Sequence, residues 1–162
     1  MSRIDDFNVA LQAFTQGVLP TTPIIFAHEN GPRPNVDYVV LHTHLTPRIG
    51  QPARGAADSN GSQISYITRD VSVTMFAYGI SSQDLLSTIA LQLDIETSID
   101  ALESAGIAIR DIGAINDASI QLDSMFEPRD MMEVRFGITE TVTDNPSYIA
   151  TVAWSGTTQP PS

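Results

Sequence analysis

The chain has 162 residues, a mass of 17.5 kDa, a formal net charge of −11 and no cysteine. That length suits one domain, and the lack of thiols excludes disulfides, zinc–thiolate sites and cysteine nucleophiles. All eight cations are arginine, which also excludes a Walker A loop, a Schiff-base lysine and a lysine general base.

The missing lysine has two readings: compositional bias of the source genome, or cations held in interfaces, where the arginine fork suits carboxylate partners. Nucleic-acid affinity rests mostly on phosphate neutralisation by cations. With no basic cluster, the chain is expected not to grip DNA or RNA, although it could surround DNA without holding it. No N-terminal apolar run resembles a signal peptide, and no segment approaches the ~20 apolar residues of a membrane span. A soluble protein made in the cytosol is expected.

In chain order, Ile4, Phe7, Leu11, Phe14 and Val18 recur at helical spacing. Asp5 and Asp6 sit in the first turn, and Gly17 and Pro20 are read as the close. Ile24, Ile25 and Phe26 read as a short strand. Residues 38–45 read as another, with Val39, Leu41 and Leu45 on one side and Tyr38, Val40 and His42 on the other. Residues 48–62, rich in Gly, Ala, Pro, Ser and Asn, read as a long contact-making or mobile loop whose only cations are Arg48 and Arg54.

Residues 64–78 read as a long strand with Val71, Val73, Met75 and Ala77 on one face. Gly79 ends it, and Ser81 or Ser82 is the expected cap of a helix burying Leu85, Leu86, Ile89, Ala90 and Leu93. Thr97 or Ser98 is the expected cap of the next helix, which carries Ile99 and Leu102 and stops at Gly106. Residues 107–112 form a strand. Then comes the clearest alternation, Met132, Val134, Phe136, Ile138 and Val142 opposed by Met131, Glu133, Arg135, Thr139 and Thr141. Residues 148–154 suit a last strand and residues 156–162 a frayed tail. This order predicts an α+β fold over residues 1–155, with a predominantly antiparallel or mixed sheet, helices on one face and a long loop between strands.

Few residues suggest chemistry. His42 and His44, two apart on a strand, share a face and could both reach a metal, with His28 or Glu29 as a third ligand if that strand is the neighbour. The reading adopted is the plainer one, two polar side chains on a solvated or subunit-facing surface, and neither metal nor cofactor is expected. No GxSxG elbow and no GxGxxG turn occurs. Carboxylate pairs such as Asp94 and Glu96 read as solvated charge. Before the best strand stands Phe126-Glu127-Pro128-Arg129-Asp130, in which Pro128 extends Glu127. Phe126 is expected to anchor this turn in the core, and Arg129 to form an ion-pair network with its acidic neighbours. Arg48, Arg54, Glu127, Arg129 and Asp130 are the candidate subunit-interface residues.

Val73-Thr74-Met75-Phe76-Ala77-Tyr78-Gly79, the helix over residues 84–93, Ala105-Gly106-Ile107, and Phe126-Glu127-Pro128-Arg129 before an alternating strand together resemble the phage neck terminator family, grouped with the tail terminators of tailed phages. The resemblance covers roughly residues 5 to 143. It implies a non-enzymatic virion protein assembled in the host cytoplasm, forming a homohexameric ring where the tail tube meets the head connector. Such a ring stops tube growth and docks a neck adaptor or head-completion protein, with tube and sheath proteins as its other partners. Six copies would carry a charge of about −66, letting a genome pass through the lumen without sticking. The competing readings are a head-completion or adaptor protein, a non-viral acidic binding module and, last, a metal-dependent enzyme at His42 and His44.

Overall fold

The computed structural model describes residues 3–29, 31–48, 50–58, 61–122 and 125–144; for Arg48, Leu122 and Met125 it describes the backbone alone. The expected last strand over residues 148–154 and the tail from residue 156 lie outside the described residues. The elements are α1 (Arg3–Val18), β1 (Ile24–Phe26), β2 (Tyr38–Arg48), β3 (Ala53–Arg54), β4 (Gln63–Tyr78), α2 (Ser82–Leu93), α3 (Glu96–Ser104), β5 (Ile107–Ile112), β6 (Asn116–Asp117), β7 (Ile120–Leu122), β8 (Met125–Glu127) and β9 (Arg129–Asp144).

One mixed sheet runs β1-β2-β4-β9-β5, with β1 parallel to β2 and the other pairs antiparallel. β3 and β6 extend it at β4 and β9, and β7 and β8 form a separate hairpin. The expected α+β class, with helices on one face, holds. Val39, Leu41, Val71, Val73, Met75, Ala77, Met132, Val134 and Phe136 are all fully buried on the face that meets the helices. Against them pack Phe7 and Leu11 of α1, Leu86, Ile89 and Leu93 of α2, and Leu102 of α3. Phe7 meets Phe136 edge to face, with ring centroids 5.5 Å apart.

The β4–β9 ladder is unbroken from Tyr78↔Arg129 to Gln63↔Asp144. At about 3.4 Å per residue it is roughly 50 Å long, whereas α1 spans only about 24 Å. Helices therefore cover only part of it, and the distal part projects as an arm beside β3. This corrects the expectation for Val142. It keeps the alternation but is 52% exposed, because what borders it there is the polar start of α1, Arg3 and Asp6, and no apolar helix face. Ile64 and Tyr66, on the other face of the arm, are each 42% exposed. The connection expected over residues 48–62 begins later, since β2 continues through Arg48. It also carries β3, tied to β4 by Gly55 N–H to the Ile64 carbonyl at 2.8 Å.

Several local signals resolve differently from their sequence reading. Gly17 lies inside α1, so the proline at 20, which lacks an N–H, is the stop. The Ser81 and Ser82 side chains do not cap α2. Asp37 does instead, accepting the Ser81 N–H at 3.0 Å. Its carboxylate fills the space where a Cβ on Gly79 (φ +110°) would stand, which leaves only glycine there. Ile95, not Thr97 or Ser98, is the N-cap of α3: the turn from α2 is so tight that the helix starts at Glu96. Gly106 (φ +74°) ends α3 as expected, and Arg3 donates to the Ala105 and Gly106 carbonyls, a cation at a helix C-terminus.

Candidate subunit interface

The sheet face turned away from the helices is aromatic at one end. Register places Tyr38 beside Tyr78 and Tyr78 beside Arg129, then Val40, Phe76 and Met131 in the next row. The two tyrosine rings stack 4.7 Å apart and nearly parallel. Arg33 lies 5.5 Å from the Tyr78 centroid. Arg129 lies 5.5 Å from that of Phe76 and 5.7 Å from that of Tyr78. Burial pushes the Tyr38 hydroxyl above the usual tyrosine range, with the Arg33 cation opposing. A cavity of about 320 Å³ opens beside this row, lined by Phe26, Arg33, Tyr38, Val40 and His42 among others.

The expected ion-pair network around Arg129 does not form among the described residues. Successive strand side chains point to opposite faces, so Asp130 turns to the helix side and accepts the Ser82 hydroxyl at 2.5 Å. Glu127 pairs with Arg33 at 2.5 Å. Arg129 instead donates from Nε to the Ala118 carbonyl at 3.0 Å, and its own N–H donates to the Ser119 hydroxyl at 3.1 Å. The second Glu127 oxygen, Oε2, is buried without a hydrogen-bond partner among the described residues.

Phe126 is not a core anchor. It sits on β8 of the small hairpin, which is not hydrogen-bonded into the main sheet, and is 66% exposed. Arg48 and Arg54 belong to the opposite end of the molecule. Arg54 pairs in register with Ser65, thirteen residues along β4 from Tyr78, or roughly 44 Å. The five candidate residues therefore form two regions, not one site. Sequence reasoning missed Arg33, Tyr38 and Tyr78, whose only advance signal was a pair of tyrosines at strand ends.

His42 and His44 do share a face, and β1 is indeed the neighbour of β2. The His28 and His42 rings meet edge to face at 5.3 Å. Among the described residues, no three of His, Asp and Glu are placed to hold a metal ion. Charge is segregated: Asp5, Asp6, Asp84, Asp94, Glu96, Asp100 and Glu103 on the helical layer are all exposed, with Arg3 as the only cation on those elements. No helix among the described residues is long and apolar enough to cross a membrane.

No match was found among curated protein sequences. Among solved structures, the chain is similar to the sheath/tube terminator of an extracellular contractile injection system, PVC, in its extended state. Identity is 12% and the TM-score 0.53, over 98% of this chain and 64% of that one. The likeness is one of fold, and this chain spans less than two thirds of that terminator's length. A chain of a native gene transfer agent virion matches more loosely, with 13% identity and a TM-score of 0.26 over 76% of this chain and 84% of that one. The model of the phage neck terminator proteins matches residues 5–161. The chain belongs to the phage neck terminator family.

Proposed function

We propose that six copies of the chain close into a ring that caps the tail tube and docks it to the head connector, contacting tube and sheath subunits on one side and a neck adaptor on the other. The family match over residues 5–161 carries this reading. The half-buried aromatic row with Arg129, Glu127 and the Phe126 hairpin at one end, and the arm with Arg48 and Arg54 at the other, are its candidate contacts. Two different patches at opposite ends suit a head-to-tail contact, the kind that closes into rings. The work is mechanical, not catalytic: binding to the last tube layer leaves no surface for the next. The acidic helical layer repels phosphate, so the genome passes without being held.

Native mass measurement tests the ring, which is expected at about 105 kDa from six chains of 17.5 kDa. A monomer at all concentrations would overturn it. Addition of the protein to polymerising tube subunits tests the cap. Tubes should stop lengthening, and undiminished growth would refute the role assigned to the docking face.

A further inference from the structure

The aromatic row carries cations that the chain itself uses only in part. Arg129 donates from Nε to the Ala118 carbonyl, but its terminal nitrogens have no hydrogen-bond partner among the described residues. Arg33 pairs with Glu127, yet its side chain is 62% exposed. Both guanidiniums lie against Tyr78, which lines the cavity together with the apolar Phe26, Val40 and Phe76. Glu29, a carboxylate in the same lining, is turned to the Phe26 N–H at 3.3 Å. An apolar floor beside two arginines suits an incoming group that is itself apolar and flanked by acids.

The chain carries such a group on its opposite side. Where α2 turns into α3, Leu91 is 68% and Ile95 42% exposed. Asp94 and Glu96 flank Ile95, both exposed and without an ion-pair partner among the described residues. Leu93 and Leu102 hold this corner to the core, which leaves Leu91 and Ile95 on the outside of the helical layer. Row and corner therefore lie on opposite sides of one sheet, and a single chain cannot bring its own two together. The arm is the poorer counterpart for the row, because its candidate residues Arg48 and Arg54 are cations as well.

We propose that the α2–α3 corner of one copy seats in the aromatic pocket of the next, with Leu91 and Ile95 on its apolar floor and Asp94 and Glu96 against Arg33 and Arg129. This pairing rests on the ring reading for its second copy and names the two surfaces that meet. The contact is head-to-tail, as closure into a ring requires. It covers exposed apolar side chains and gives the planar guanidiniums carboxylate partners.

The chain has no cysteine, so an engineered pair reports cleanly. Pro32→Cys lies on the pocket lining and Leu91→Cys on the corner, and both positions are exposed. With both in one chain, a short bis-maleimide should join neighbours into a ladder on denaturing gels that stops at six. Either cysteine alone should give no ladder. A native mass of six chains with no ladder overturns the proposal and leaves the ring standing, whereas a monomer at all concentrations overturns the ring and this contact with it. Independently, Asp94→Arg with Glu96→Arg should weaken assembly about tenfold or more with the circular dichroism unchanged, since like charges then meet at every interface. Asp6→Arg with Asp84→Arg, an equal change of charge elsewhere on the helical layer, should assemble. Equal assembly of the two double variants also overturns the proposal.

Discussion

Phe136→Ala tests whether the inner face of β9 is the centre of the core. The ring is fully buried, meets Phe7 edge to face at 5.5 Å, and stands in register between Val71 of β4 and Ile109 of β5. Truncation removes roughly 150 Å² of apolar burial, or about 3.5–4 kcal/mol at ~25 cal/mol per Å². Losing the edge-to-face pair adds about 0.5–1 kcal/mol, giving about 4–5 kcal/mol, near the top of the usual range for emptying an aromatic site. Rigid β neighbours on both sides favour a retained cavity over collapse. Urea unfolding followed by circular dichroism should show the midpoint falling by about 2 M, for a slope of about 2 kcal/mol per M. Thr139→Ala, on the exposed face, should shift it little. A loss below about 2 kcal/mol at Phe136, or equal losses at the two positions, would refute the facing assigned to β9.

Arg129→Ala should fold, with stability lower by about 1–2 kcal/mol from the lost ring contacts and the donor to the Ala118 carbonyl. It should fail at ring assembly in light scattering. Arg129→Lys should restore little, since the planar fork is what covers both rings; normal assembly of the alanine variant would reduce Arg129 to an internal strut. Tyr38 makes a prediction in pH. Its folded pKa is raised above the unfolded value near 10. The native state therefore holds its proton more tightly, and stability should be full below about pH 10 and fall as pH rises through the folded value. Tyr38→Phe should flatten that alkaline decline, and an unchanged alkaline limb would remove Tyr38 as its source.

The strands of the core were legible because alternation records which face meets the helices, and Val71 to Ala77 and Met132 to Phe136 follow it; Gly137 breaks it, buried under the Arg110 guanidinium. Alternation does not record where the covering layer stops, which is why Val142 read as core. The caps were misread for a related reason. The group that caps α2 is Asp37, 44 residues from Ser81, and nothing local in the sequence links them. Strands β6, β7 and β8 have two or three residues each, too short for a period to show. At Arg129 the sequence offered acidic neighbours, but opposite-facing side chains gave Asp130 to Ser82, while Glu127 went to Arg33. The partners that remained were rings brought in from other strands.

The β4–β9 ladder joins residues between 51 and 81 positions apart in the chain. Pairings that distant form slowly, because a large loop must close before any of them is rewarded. On the ribosome, β4 emerges with its apolar face well before its partner exists, and α2 and α3 emerge next. With α1, already out and carrying Phe7 and Leu11, those helices can shelter Val71, Val73 and Met75, so the helical layer precedes the central sheet in time. The aromatic row and the arm both require β9, the last described element to be synthesised. A nascent chain therefore lacks both candidate contact regions until β9 has been made, and copies without it cannot join a growing assembly.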